Sequence, residues 1–175
     1  MNRWCALLAV VTFGLAGCAG VPVEKYRAEK PVLDLRTYFN GTIDAWGMFQ
    51  NRSGEVVKRF TVVIDAHWEG DVGTLDERFS WSDGTSSRRV WTITRQADGR
   101  YLGRADDVVG EAVGEAAGNA LRWQYVMALP VDGKIYNVDF DDWMFLIDDK
   151  VMLNRSLMSK WGFHLGEVSL SFTRR

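Results

Sequence analysis

The sequence predicts an all-β fold, an antiparallel meander of eight or nine long strands closed into a barrel. Residue pairs that favour tight turns recur between residues 53 and 149, and many of the segments between them alternate apolar and polar side chains. The chain also has eight Trp, nine Phe and five Tyr against three Pro, which suits the half-buried surface of a sheet. Closure is favoured over a sandwich because an open meander would leave two unpaired edges.

The first residues predict export and lipidation. Arg3 precedes an apolar run from Trp4 to Gly14, which is shorter than the roughly 20 residues of a membrane-spanning helix and has the flanks of a signal peptide. The run ends in Leu15-Ala16-Gly17-Cys18, which resembles the lipobox at which a cysteine receives diacylglycerol. We therefore predict a lipoprotein signal peptide over residues 1–17 and a lipid anchor on Cys18.

The cysteines and the residues after them predict the location and the domain boundary. Cleavage would remove Cys5 and acylation would consume Cys18, which excludes an intramolecular disulfide and thiol chemistry. Ala19 follows, and by resemblance to enterobacterial sorting rules it favours the outer membrane, facing the periplasm. Residues 18–33 lack periodicity and predict a lipidated N-terminus and tether, and residues 34–175 form the barrel domain.

Turn signals and alternation define the strands. The turn signals are Ser53-Gly54, Gly70-Asp71, Asp83-Gly84, Asp98-Gly99, Gly118-Asn119, Asp132-Gly133 and Asp148-Asp149. Alternation places one set of apolar side chains on a common face within each of three segments. These sets are Phe60, Val62, Ile64, Ala66 and Trp68; Leu121, Trp123, Tyr125, Met127 and Leu129; and Val168, Leu170 and Phe172.

One segment and four glycines need separate interpretation. Residues 106–117 contain helix formers, but two internal glycines cost about 1 kcal/mol each in a helix, so a bulged strand is favoured. Glycines inside predicted strands indicate further bulges that bend the sheet. These are Gly47, Gly103, Gly110 and Gly114.

Four stretches carry a resemblance to a known family. They are residues 34–41 (DLRTYFNG), 103–112 (GRADDVVGEA), 140–144 (FDDWM) and 154–156 (NRS). Over residues 34–175 the chain resembles domain of unknown function 3833, an uncharacterised family of bacterial lipoproteins. The resemblance implies a lipocalin-like barrel and a lipid anchor, with no established activity and no catalytic residues. Members are often encoded beside enzymes resembling cyclopropane-fatty-acid synthases, which associates the family with lipid.

Several function classes are excluded or disfavoured. The formal net charge is −2, and −3 without residues 1–17, so no clustered basic surface indicates nucleic acid. His67 and His164 are isolated, and we predict no metal, no cofactor and no catalytic residue. Neither a G-x-S-x-G elbow nor a phosphate-binding glycine loop occurs, so we predict that the protein is not an enzyme.

Two acidic clusters are the strongest argument for catalysis. They are Asp106, Asp107 and Glu111 beside Arg104, and Asp139, Asp141 and Asp142. Alternation allows at most one of Asp106 and Asp107 to face inward, and solvated carboxylates are the favoured interpretation. An enzyme acting through Asp107 or Asp142 would require both near one pocket, with at least one raised pKa.

The aromatic residues predict the ligand site. Trp68, Trp123 and Tyr125 are candidates to line a cavity. Candidate anchors for a polar head group are Arg36, Arg104 and Arg155. The sequence therefore predicts a membrane-anchored, lipocalin-like barrel that binds an apolar ligand of the fatty acid or lipid class. The alternative is a barrel filled by its own side chains, with a structural or interaction role in the envelope.

Overall fold

The computed structural model of the protein describes residues 20–175. The predicted signal peptide and the predicted lipidation site Cys18 lie outside the described residues. Among residues 20–175, no helix has the length and apolar character needed to span a membrane.

Ten antiparallel strands form a closed barrel, so the all-β barrel prediction is confirmed and the count of eight or nine strands was too low. Each strand pairs with its neighbours in the chain, and β1 pairs with β10 to close the ring. The strands are β1 (Gly41–Asn51), β2 (Val56–Glu69), β3 (Val72–Trp81), β4 (Ser86–Arg95), β5 (Tyr101–Arg104), β6 (Val108–Ala117), β7 (Ala120–Val131), β8 (Lys134–Leu146), β9 (Val151–Lys160) and β10 (Phe163–Arg174).

The additional strands arise from two turns that were not predicted from the sequence. All seven predicted turns connect consecutive strands. An eighth turn separates β5 from β6, where the Val108 amide donates to the Ala105 carbonyl at 3.0 Å. The ninth joins β9 to β10 through Trp161 and Gly162, which have φ angles of +52° and +80°. A tryptophan at the first position of such a turn is unusual, and the pair Trp161-Gly162 was therefore not predicted as a turn.

Residues 108–117 form β6, which confirms the bulged strand. Its pairing with β7 shifts register between Val109 and Val113, and Gly110 within that bulge has a φ of +75°. The other three glycines were wrongly interpreted as bulges. Gly103 and Gly114 leave room for the indole of Trp123, and Gly47 does the same for the ring of Phe60.

A plug seals one end of the barrel. Helix α1 (Leu35–Tyr38) begins where the Asp34 carboxylate accepts a hydrogen bond from the Thr37 amide at 2.8 Å, an N-cap. Leu35 and Tyr38 of this helix, with the following Phe39, are each at most 4% exposed. The Tyr38 hydroxyl donates to the Lys150 carbonyl at 2.9 Å and ties the plug to the β8–β9 turn.

Part of the predicted tether is packed against the barrel. Residues Val23–Tyr26 form a short 3₁₀ helix, in which Val23 is buried in a cluster with Ala117 and Ala120. The Leu33 amide then donates to the carbonyl of Gly118 at 2.8 Å. The chain is therefore held to the domain from Val23 onward, on the side where the plug lies.

The barrel and its plug are formed by one continuous part of the chain. All ten strands, the closing β1–β10 ladder and the plug lie within residues 33–175. We call the plugged end, with the turns at 70–71, 96–100, 118–119 and 147–150, the closed end. The open end carries the turns at 52–55, 82–85, 105–107, 132–133 and 161–162.

Candidate ligand-binding site

The barrel contains a cavity of about 580 Å³, so its interior is not filled by its own side chains. Inward-facing side chains of most strands line it, including the predicted Trp123 and Tyr125. Lys58, Arg88 and Pro130 line it at the open end, and Leu35 of the plug lines it at the closed end. Small-molecule sites generally occupy about 300–1,000 Å³, so the volume suits one small ligand.

Aromatic rings make part of the cavity wall rigid. The ring of Trp91 meets Trp123 and Tyr125 edge to face, with centroids 5.7 and 5.5 Å apart. Tyr125 in turn stacks on Phe140 with centroids 5.0 Å apart. Because such contacts stabilise each ring beyond simple burial, we expect the cavity to be formed before a ligand arrives.

An ion-pair cluster lies on the β3–β4 wall. Glu77 and Arg89 are directly opposite each other in the strand register. The Arg89 guanidinium is bonded to Asp107, with Nη2 at 2.7 Å and Nε at 3.0 Å from Oδ2, and its Nη1 lies 3.9 Å from Glu77 Oε2. Since Asp107 occupies the fork of the guanidinium, Arg89 is largely neutralised before any ligand binds.

A second polar group lies on the β8–β9 wall, five strands away around the ring. Asp142 and Ser156 are register partners, and the Ser156 hydroxyl donates to Asp142 Oδ1. The Tyr125 hydroxyl approaches Asp142 Oδ2 at 3.5 Å. Together with Asn154, these residues and the ion-pair cluster form what we call the polar belt. Its members are Glu77, Arg89, Asp107, Tyr125, Asp142, Asn154 and Ser156.

Burial changes the protonation of the belt. Desolvation raises the pKa of Glu77 to about 7 and the pKa of Asp142 to about 7, although the nearby Arg89 opposes both shifts. Burial also raises the pKa of the Tyr125 hydroxyl well above its usual value. At neutral pH both acids are therefore partly protonated, and a protonated carboxyl can donate a hydrogen bond to a ligand.

The predicted site residues divide between the cavity and its surroundings. Trp123 and Tyr125 line the cavity. Trp68 lies nearer the closed end, where its indole Nε1 donates to the Phe39 carbonyl at 2.9 Å and its ring packs edge to face on Tyr101. Trp68 therefore supports the plug and does not line the cavity.

The structure places the three predicted arginine anchors outside the barrel, so this assignment needs correction. Their side chains are 45%, 74% and 64% exposed for Arg36, Arg104 and Arg155. Arg104 pairs with Glu111 at 2.7 Å and Arg155 with Glu167 at 2.7 Å. Residues next to them in the strands face inward, so alternation directs both arginines outward.

Sequence reasoning missed Arg89, the arginine that does face the cavity. The signal was present, because Arg89 lies two residues before Trp91 and four before Ile93, and all three line the cavity. Alternation along β4, rather than residue type, identifies the inward arginine.

Each acidic cluster contributes one carboxylate to the cavity. Asp107 and Asp142 line it, whereas Asp106 and Asp139 are exposed and Asp141 pairs with Arg122 at 2.8 Å. The prediction of solvated carboxylates is therefore wrong for Asp142, which is 7% exposed, whereas the side chain of Asp107 is 37% exposed. His67 and His164 are both exposed.

The protein is thus a closed antiparallel β-barrel whose cavity contains a polar belt. The chain belongs to the family described as protein of unknown function (DUF3833), whose model matches residues 12–174. This confirms the family predicted from the sequence. No curated protein sequence is significantly similar to the chain.

Solved structures share the barrel at low sequence identity. The S-type phycobiliprotein lyase CPES from Guillardia theta is 11% identical, with a TM-score of 0.56 over 89% of this chain and 98% of that chain. A protein of unknown function from the DUF3598 family of Nostoc punctiforme is 12% identical, with a TM-score of 0.51 over 90% of this chain and 53% of that chain. A de novo designed fluorescence-activating β-barrel is 14% identical, with a TM-score of 0.45 over 82% and 99%. At these identities the first two similarities establish the fold alone.

Proposed function

We propose that the protein is a non-catalytic binding protein that holds one apolar, lipid-like molecule inside its barrel. The observation that carries the proposal is the cavity of about 580 Å³, whose walls are mostly apolar and whose polar groups are gathered in one belt. Such a combination is typical of small-molecule sites, in which apolar walls supply binding energy and a few polar groups fix orientation.

The cavity favours one orientation of the ligand. In the strand register, Leu75 and Trp91 pair with each other on the closed-end side of the Glu77–Arg89 pair. Leu121 and Phe172 also line this deep part of the cavity. An acyl chain would lie here, with its polar end at the belt and its path of entry at the open end.

The charges of the belt limit the kind of polar head group that the ligand can have. Three carboxyl groups, those of Glu77, Asp107 and Asp142, line the cavity together with the guanidinium of Arg89. Lys58 and Arg88 line it only at the open end, where they pair with Asp83 and Asp76. Because Arg89 is already paired, a ligand carboxylate would add an uncompensated negative charge to a desolvated site. A neutral head that makes hydrogen bonds, such as a hydroxyl, an ester or a protonated fatty acid, fits better.

The predicted lipid anchor at Cys18 would hold the protein at a membrane, which contains such molecules, through residues that join the barrel near its closed end. We propose the same outer-membrane location, facing the periplasm, that the signal sequence predicts. The cavity supports the binding proposal whether or not Cys18 carries lipid.

The proposal is tested by titrating delipidated residues 20–175 with two fluorescent probes of equal chain length, parinaryl alcohol and parinaric acid. We expect saturable binding of the alcohol at pH 7. Val168→Trp, which fills the cavity beside Ser156, abolishes it, whereas the matched Val63→Trp on the outer wall leaves it unchanged. Equal binding by both variants, or no binding by the wild type, contradicts the proposal.

The pH dependence tests the head-group assignment separately. Lowering the pH from 8 to 5 protonates Glu77 and Asp142 and removes their repulsion of a ligand carboxylate. We expect affinity for parinaric acid to rise at least tenfold over this range and affinity for parinaryl alcohol to change less than threefold. Strong binding of the acid at pH 8 would instead show that Arg89 is free to bind anions.

A second candidate function is catalysis on the bound molecule. Asp107 and Asp142 both reach the cavity, and a pKa of about 7 for Asp142 suits a general acid or base near neutral pH. Mass spectrometry of a monoacylglycerol incubated with the protein tests it. Conversion by the wild type but not by Asp142→Asn would establish an enzyme, and an unchanged ligand supports the binding protein.

A further inference from the structure

Large apolar side chains are exposed at the tips of two hairpins at the open end. We call these tips, residues 131–136 between β7 and β8 and residues 160–165 between β9 and β10, the aromatic lip. Trp161 is 84% exposed, Phe163 is 72% exposed and Ile135 is 72% exposed. Exposed apolar residues grouped in this way mark interaction sites more often than chance.

The backbone holds Trp161 outward at a conformational cost. Trp161 and Gly162 both have positive φ angles, of +52° and +80°, and so do Asp132 and Gly133 in the other tip, at +49° and +74°. This turn ordinarily takes Asn, Asp or Gly at its first position, as the Asp132 turn does, and disfavours a bulky side chain. A strained residue that buries nothing within the described chain points to a role in binding rather than in stability.

The two tips form one surface. The Lys160 ammonium donates to the Asn137 carbonyl at 3.0 Å and lies 4.9 Å above the Trp161 ring and 5.4 Å above the Tyr136 ring. The charged residues of the lip are Asp132, Lys134 and Lys160, which with neutral His164 and Tyr136 give a formal net charge of +1. The lip is therefore aromatic, nearly neutral and slightly cationic.

The lip is continuous with the mouth of the cavity. Leu129 and Pro130 line the cavity and lead directly into the first tip, and Met158 lines it two residues before Lys160. A surface that the lip contacts would therefore lie at the entrance to the binding site.

We propose that the aromatic lip inserts into the interfacial region of a phospholipid bilayer and opens the cavity to it. Trp and Tyr rings concentrate at the level of the lipid head groups, and lysines beside them can extend their ammonium groups to lipid phosphates. Interfaces between proteins are instead depleted in lysine at their centre. In the lip, Lys160 lies at the centre, against the rings of Tyr136 and Trp161. The inference goes beyond ligand binding, and it concerns the end of the barrel opposite to the one where Val23–Tyr26 pack.

The experiment measures flotation of residues 20–175 with vesicles of phosphatidylcholine and phosphatidylglycerol at a 3:1 ratio. We expect binding by the wild type and at least a tenfold loss in Trp161→Ser/Phe163→Ser. The matched control, Trp46→Ser/Ile147→Ser, removes a Trp and a large aliphatic side chain that are each 51% exposed away from the lip, and should change binding less than twofold. Circular dichroism checks that both variants remain folded.

Vesicles with brominated acyl chains locate the contact. We expect them to quench tryptophan fluorescence in the wild type, and the quenching to be largely lost in Trp161→Phe. Parinaryl alcohol binding in vesicle-free solution should be the same in the lip variant as in the wild type, so failure of the lip and failure of the cavity can be distinguished. Vesicle binding that the lip variant retains overturns the inference, and so does a lip-dependent dimer, seen by sedimentation, without vesicle binding.

Discussion

The two ends of the barrel use aromatic and large aliphatic side chains in opposite ways. At the closed end, Leu35, Tyr38 and Phe39 are at most 4% exposed and form a plug within the core. At the open end, Trp161 and Phe163 are 84% and 72% exposed and pack against little of the described chain. Between the ends lies the polar belt, whose buried acids oppose stability. The difference shows that this sequence stabilises one end and leaves the other available for binding.

The largest effect is expected when the plug is weakened. Leu35→Ala removes a side chain that is 1% exposed and should lower the free energy of unfolding by about 4 kcal/mol. Ile135→Ala, at a lip position that is 72% exposed, should change it by less than about 0.5 kcal/mol. Urea denaturation at pH 7 measures both, and similar losses at the two ends would contradict the division of roles.

The second prediction concerns how the buried acids of the polar belt make the free energy of unfolding depend on pH. The folded protein holds a proton on Asp142 with a pKa of about 7, against about 3.9 for an unfolded aspartate, so the native state binds more protons between these values. The contribution of Asp142 to stability is therefore greatest below about pH 4 and falls as the pH rises to 7, by about 2–3 kcal/mol. Glu77 adds a loss of the same sign.

Asp142→Asn should remove the part of the pH dependence of stability that Asp142 causes, because the amide stays neutral over the whole pH range. Asp141→Asn is the matched control, since that carboxylate faces outward and pairs with Arg122. Chemical denaturation at pH 4.5, 6 and 7.5 makes the comparison. An unchanged slope in Asp142→Asn would show that Asp142 is ionised in the folded barrel.

The smallest effect tests the strain in the lip. Trp161→Asn places a residue that tolerates positive φ in the β9–β10 turn and should raise the free energy of unfolding by about 1 kcal/mol. Asp132→Asn, in the corresponding turn of the other tip, should be nearly neutral, because Asp and Asn both accept that conformation. If Trp161→Asn instead destabilises the protein, Trp161 has a structural role and the contrast between the ends is weaker.

The sequence predicted the parts of the fold that depend on local patterns. Seven turns, the inward faces of β2, β7 and β10, and the bulge at Gly110 follow from turn chemistry and alternation. The β5–β6 turn contains the pair Asp106-Asp107, which was assigned to the bulged strand instead of to a turn. The β9–β10 turn was missed because Trp161 occupies a position that usually takes Asn, Asp or Gly. The strand count was therefore too low.

The residues of the site were predictable only where the alternation of inward and outward side chains along a strand was used. Alternation directs Trp123 and Tyr125 inward, and it would have done the same for Arg89. Arg36, Arg104 and Arg155 were chosen by residue type, and all three lie outside. The pairing of Arg89 with Asp107 joins residues of β4 and the β5–β6 turn, and the cavity volume depends on how all ten strands pack, so neither follows from a local pattern.

Native mass spectrometry of residues 20–175, purified from an expressing bacterium without detergent, tests the central claim most directly. We expect one lipid-like molecule of neutral head group per chain in the wild type and in Val63→Trp, and none in Val168→Trp. An empty wild-type barrel that also fails to bind parinaryl alcohol would contradict the account, because the cavity would then have no apolar ligand to hold.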